Sequence, residues 1–383
     1  MKFLIGAILC LALAGNAHSV ENLESLNNKL DVITTEIENL KLNSRTTANK
    51  FSFGSYGEFT YTNKRTEQQN GTFTSQSQPN VDAKRFILYI GYKFNENWSL
   101  TSEVEIEHVS EIFLEQAYLT NKLSDAVSFQ VGVMLVPVGL VNLYHEPTAF
   151  HSVERPGTEN KIIPSTWREM GIGFSGTISQ FDYKLYLFNS LKADEFTSSG
   201  VRAGRKKAAR AEARDLSIVG RLDYSLLSNL DLGVSYYLGK ADGVLTEVKH
   251  NVWDFHAAFD MSGLSLRVLY TEAFIDNAAA LKSETGENVA EKMRGYYVDL
   301  GYDVFHGKSD CQLIPFVMYE AYNTQDTMPT GSIATVAENV RNFTYGINYK
   351  PLANIVFKAD YMKTTNQAKT GYDTWSLGAG WNF

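Results

Sequence analysis

The sequence is poor in cysteine and proline and has no long apolar run. It holds 2 cysteines in 383 residues, and one of them, Cys10, lies in a leading segment of the kind removed on export. A mature exported chain left with Cys311 alone closes no disulfide within itself, so its stability has another source. A spanning helix needs about 20 consecutive apolar residues. No stretch approaches that, which excludes a helical membrane protein. The net charge of -8 excludes nucleic acid as a partner.

Aromatic residues and glycine take the place of what is missing. There are 21 tyrosines, 22 phenylalanines and 28 glycines, and aromatics make up 13% of the chain. Tyr and Phe suit pleated surfaces and membrane interfaces, which points to an all-β protein with aromatic girdles.

The first residues, MKFLIGAILCLALAGNAHS, place Lys2 before an apolar run from Phe3 to Ala14 and small residues at Ala17 and Ser19. This reads as a secretory signal peptide over 1–19. Leu9 precedes Cys10 where a lipoprotein signal carries a small residue, so lipidation is set aside. In the next segment, Leu23, Leu26, Leu30, Ile33, Ile37 and Leu40 recur at spacings of 3, 4, 3, 4 and 3. That heptad seam predicts a short α-helical coiled coil over 20–43; an amphipathic helix lying on a domain is the plainer alternative. Residues 44–50 read as a polar linker.

From Phe51 onward the pattern has period two. Candidate strands lie near 53–62, 84–94, 98–108, 111–120, 126–137, 167–177, 180–188, 214–224, 229–240, 251–260, 263–274, 293–304, 311–322, 341–350, 354–363 and 372–383. An even number of up-and-down strands can close on itself, which predicts a 16-stranded antiparallel transmembrane β-barrel over 51–383. Short and long connections alternate, as they do between the periplasmic and external rims of such barrels. One link breaks the alternation: the third and fourth strands leave only a few residues near Ser110 between them, so either that link is a tight turn or the strand bounds shift by several residues.

Strand parity sorts the two faces. Phe86, Leu88, Ile90, Tyr92 and Phe94 fall on the lipid side, as do Trp375, Leu377, Ala379, Trp381 and Phe383. The lumen receives Arg85, Lys93, Glu103, Glu105, Glu107, Arg221 and Arg267, together with Asp223, Lys358 and Asp360. The three glutamates stand about 7 Å apart along one strand. They form either a salt-bridged stretch of wall or a carboxylate rail for cations. A tight turn at 95–97 pairs residues so that Arg85 faces Glu107 and Lys93 faces Ser99.

Two connections carry the candidate selectivity residues. The segment 139–166 is long for a compact barrel and is the candidate constriction, with His151, Glu154, Arg155 and Lys161 in it and Arg168 at its end. The plainer alternative is a loop packed on the rim or on a neighbouring subunit. A metal site at His145 and Glu146 is set aside, because adjacent residues lack ligand spacing. The stretch 201–214 holds Arg202, Arg205, Lys206, Lys207, Arg210 and Arg214. It either meets anionic lipopolysaccharide at the surface or dips into the mouth and concentrates anions there.

Signal, coiled coil and a barrel ending in Trp-Asn-Phe resemble the Gram-negative porins, and specifically the phosphate-selective porin O and P family. VSFQVGVMLVPVGLVN at 127–142 is similar to that family's strand running into the bend before its third loop, and WREMGIGFSG at 167–176 to its return strand. The resemblance implies an outer-membrane homotrimer with an inward-folded third loop and passive passage of small anions such as phosphate. It also implies no cofactor and no catalysis, and a terminal Phe383 read by the barrel-assembly machinery. The family's phosphate-binding members line the pore with arginine and lysine, whereas the lumen predicted here is of mixed sign. The rival classes are a surface adhesin or structural protein, and a hydrolase on a barrel scaffold; His256 and Asp254 share an inward parity without a linked nucleophile.

Overall fold

The computed structural model describes residues 31–35, 50–73 and 79–383. Residues 31–35 are helical; the signal peptide and the rest of the expected coiled coil and linker lie outside the described residues, apart from Lys50. Ser52–Phe383 forms a compact unit of its own.

That unit is a closed antiparallel barrel of sixteen strands. They are β1 Phe51–Lys64, β2 Asn80–Lys93, β3 Trp98–Glu107, β4 Glu111–Lys122, β5 Ser128–Leu135, β6 Arg168–Ile178, β7 Phe181–Asn189 and β8 Leu216–Leu227, followed by β9 Leu230–Ala241, β10 Val248–Met261, β11 Leu264–Ile275, β12 Lys292–Tyr302, β13 Gln312–Thr327, β14 Asn339–Leu352, β15 Ile355–Asn366 and β16 Asp373–Asn382. The seam runs from Tyr56↔Asn382 to Lys64↔Thr374. Closure leaves no strand edge to lipid, where an unpaired backbone group would cost several kcal/mol.

Parity does what the sequence pattern requires. On β16, Trp375 and Leu377 are exposed on the outer wall while Thr374, Ser376 and Gly380 are buried on the inner one. On the outer wall at the seam, the Trp381 ring packs 5.3 Å from Phe59 and 6.5 Å from Phe86. The β3–β4 link is a tight turn, with His108 at φ 50° and Val109 at φ 68°. Two successive left-handed residues give the hairpin the twist of its strands, so three residues suffice.

The lumen is not uniformly polar. Between β7 and β12 the inward positions Phe188, Val219, Tyr237 and Leu269 are buried in an apolar core. Three long loops supply the other half of that core. Val138, Ile162 and Trp167 come from the loop 136–167, Leu191, Phe196 and Val201 from the loop 190–215, and Leu281 and Val289 from the segment 276–291. Loops that fold inward need an apolar bed, which is why inward parity on these strands does not mean polar.

Candidate functional site

The segment 136–167, here the inner loop, connects β5 to β6 and crosses the barrel interior. Its backbone is tied to the wall on many sides. Gly139 donates its N–H to Asp254 Oδ2 of β10 at 3.0 Å, and its carbonyl accepts from Arg221 of β8 at 2.5 Å. Val153 N–H reaches Asp360 of β15 at 2.6 Å, and Lys358 donates to the carbonyls of Phe150 and Ser152. Glu320 of β13 takes the N–H groups of Gly157 and Thr158 at 3.0 and 2.9 Å. These bonds answer for loop backbone groups that would otherwise be buried without partners.

Two glycines make this course possible. Gly139 has φ +78°, and a Cβ there would meet the Glu159 carboxylate at 2.4 Å. A Cβ on Gly380 of β16 would lie 2.6 Å from Pro147. The small inner face of the last strand is therefore the seat of the inner loop.

Three side chains of the loop lock it further. His151 Nδ1 lies 2.9 Å from Asp299 Oδ2 and its Nε2 lies 3.1 Å from Ser265 Oγ, with the ring stacked on Phe316. Glu159 accepts from the Tyr297 hydroxyl at 2.6 Å and from the Val141 N–H at 2.7 Å. Burial pushes the Glu159 carboxyl up to about 7 against those two bonds. His145 faces Glu115 Oε1 at 3.7 Å, but burial pushes its pKa down to about 3, so the ring is neutral at pH 7.

Beside the loop, β1 to β6 carry a buried charge cluster. Arg85 lies opposite Glu107 in the β2–β3 ladder, as Lys93 lies opposite Ser99. The Arg85 guanidinium turns instead to Glu58 at 2.9 Å and Glu105 at 3.6 Å. Arg168 reaches Glu115 at 3.5 Å and Glu105 at 3.9 Å. The reason is depth: Glu105 is 1% exposed and must be paired, while Glu107 is half-buried at the end of its strand. Glu103 is half-buried on the same strand, where a bulge interrupts the β3–β4 register after it.

The stretch 201–214 bends inward at its start. Arg205 donates to the Ser165 and Thr166 carbonyls of the inner loop at 2.8 and 2.9 Å, and Arg202 donates to the Ser165 carbonyl as well. Lys206 pairs with Asp242 at 3.3 Å, and Lys207 stands 4.5 Å over the Phe113 ring. Arg210 and Arg214 are exposed. Burial, and then each guanidinium's basic neighbours, push Arg202 down to about 9 and Arg205 to about 10. Arg155 is half-buried, donates to the His145 carbonyl at 3.3 Å and is lowered by burial and by Arg85. Among the described residues Arg155, Arg202, Arg205 and Lys207 make no ion pair.

The other sequence candidates are spread out. Glu154 pairs with Lys84 at 2.7 Å, Lys161 closes the single helical turn Thr158–Lys161, and Lys93 is exposed near the short-turn rim. Arg221 binds Asp223 at 2.6 Å, and Arg267 binds Asp260 at 2.7 Å. His256 stands between Asp254 and Asp223 at 2.6 and 2.9 Å, and the Ser235 hydroxyl donates to Asp254 rather than to the ring. Sequence reading missed Glu320, Tyr297 and Asp299 as anchors of the inner loop. Their only signal was inward parity among many polar neighbours.

A closed barrel with an apolar outer wall, charged groups inside and a loop folded across its interior defines the channel-forming barrels of the outer membrane. The chain belongs to the Phosphate-selective porin O and P family, which it matches over residues 53–374. An uncharacterized protein of Aquifex aeolicus (strain VF5) is 31% identical over 355 residues, covering 87% of this chain and 80% of that protein. Among solved structures, an anion-selective porin from Comamonas acidovorans has a similar fold, with TM-score 0.58 and 9% identity over 87% of this chain and 99% of that one. The trimer form of the Vibrio cholerae outer membrane protein OmpT gives TM-score 0.57 and 11% identity, over 87% of this chain and 99% of that one. Salmonella typhi OmpF in complex with daunomycin gives 0.58 and 13%, over 87% and 97%.

Proposed function

We propose that this outer-membrane porin passes small hydrophilic solutes down their gradient without catalysis or cofactor, that the inner loop sets the size limit, and that the cations beside it favour anions. The observation that carries the charge preference is the convergence of Arg155, Arg202, Arg205 and Lys207 near one end of the inner loop with no carboxylate paired to them. The neighbouring carboxylates Glu58, Glu105 and Glu115 are each paired with Arg85 or Arg168, and among the described residues none of them reaches a loop cation within ion-pair distance. The family's name and the anion-selective Comamonas porin support the same sign. On this reading the long-loop rim faces outward, the short turns and the coiled coil over 20–43 face the periplasm, and three copies associate as in the OmpT trimer. Arg210 and Arg214 are left for lipopolysaccharide, and Phe383 for the assembly machinery.

The test is unit conductance in a planar bilayer. The whole protein conducts steadily, and replacing Glu320 with alanine, which frees the Gly157–Thr158 turn, raises conductance or open-channel noise at least about twofold. Absence of any conductance would overturn the reading. A hydrolytic alternative has one foothold, the aligned Ser265, His151 and Asp299, in which Ser265 Oγ is shared with the Gly301 carbonyl at 3.4 Å. Covalent labelling of Ser265 by a fluorophosphonate would favour it.

A further inference from the structure

Beneath the inner loop, on the short-turn side, lie cavities of about 670 and 260 Å³ whose linings share Asp182 and Lys184 of β7. Volumes of this order suit a small-molecule site. Most charges around them are already engaged: Arg221 with Asp223 and His256, and Arg267 with Asp260. Lys184 is different, for its ammonium has no hydrogen bond or ion pair among the described residues. Asp182 accepts the Thr177 hydroxyl and Asp231 the Ser225 hydroxyl, and neither has a cationic partner. The ring of Tyr144, 58% exposed, overhangs the larger cavity from the inner loop.

One unpaired cation and two unpaired carboxylates around a common space call for a ligand that carries both signs. A simple anion meets Lys184 but also the surplus of aspartates. A simple cation is repelled first by the arginines beside the inner loop. Spacing narrows the choice further. Asp182 and Lys184 are two residues apart on one face of β7, so their Cα atoms stand about 7 Å apart. The terminal charges of an extended dipeptide are separated by about the same distance, whereas those of a single α-amino acid are much closer. The smaller cavity, lined by Gln116, Gln130, Leu143 and Tyr186, offers room for a side chain.

We propose that this vestibule binds short zwitterionic peptides, with the carboxylate on Lys184 and the ammonium on Asp182 and Asp231. The proposal rests on the channel reading above and names a solute class for that channel. It is tested with the whole protein in a planar bilayer by adding glycylglycine, N-acetylglycylglycine and glycylglycinamide separately to the short-turn side. Glycylglycine is expected to block the current at least about tenfold more strongly than either derivative that lacks one charge. Lys184→Met should lose that block by a similar factor while it still opens channels in potassium chloride. Equal block by all three compounds, stronger block by the acetylated one, or an unchanged block in Lys184→Met would overturn the site and leave the channel standing. No conductance from the wild type would overturn both.

Discussion

At the scale of single residues, the barrel interior shows what a buried charge demands. Arg85 is 5% exposed and holds two carboxylates, Glu58 and Glu105, that are buried even deeper. Removing it strands both, and breaking a buried pair costs about 3–5 kcal/mol. Arg85→Met is therefore expected to lower the denaturant midpoint of the detergent-solubilised barrel by an amount in that range; a loss below about 1 kcal/mol would mean that water reaches the cluster. Glu159 gives a pH dependence of definite sign. Its folded-state pKa, about 7, lies above the ordinary glutamate value of 4.5, so its share of the loop's stability is full in acid and is lost as pH rises through about 7. Tyr297 donates to it, and Asp254 and His256 are the charged groups that act on it. Open-channel noise is expected to rise between about pH 5 and 8, and Glu159→Gln to flatten that rise. A pH profile unchanged by that substitution would contradict it. None of these partnerships was legible beforehand: parity placed Arg85 opposite Glu107, and depth in the wall decided that it turns to Glu58 and Glu105.

At the scale of elements, strand number, strand order and the alternation of faces were all readable. A lipid-facing wall imposes strict period two, and an even count permits closure. Boundaries agree within a few residues, except where a strand runs on beyond its apolar stretch, as β13 does to Thr327. What could not be read was the apolar bed inside β7 to β12. Phe188 and Val219 point inward because loops distant in sequence cover them, and no local pattern records that. The β3–β4 link had two readings, and the tight turn prevailed through left-handed His108 and Val109. A β-branched residue pays about 1 kcal/mol for that conformation. Val109→Gly is accordingly expected to raise stability by about that amount in equilibrium unfolding, and a loss would show that the Val109 side chain makes compensating contacts.

For the whole molecule, the barrel supplies the wall, and on the proposed reading the inner loop and the stretch 201–214 set the character of the opening. Three such barrels sharing flanks are expected to migrate from detergent as an assembly that heat dissociates, and a monomer persisting at high concentration would contradict the proposed trimer. The central claim is that unpaired cations beside the inner loop decide which ions pass. It is tested most directly by the reversal potential under a potassium chloride gradient at low salt, where screening is weakest. The wild type is predicted to prefer chloride, and the combined change of Arg155, Arg202, Arg205 and Lys207 to glutamine to move the potential toward potassium. Cation preference in the wild type, or a potential that the four substitutions leave unmoved, would contradict the account.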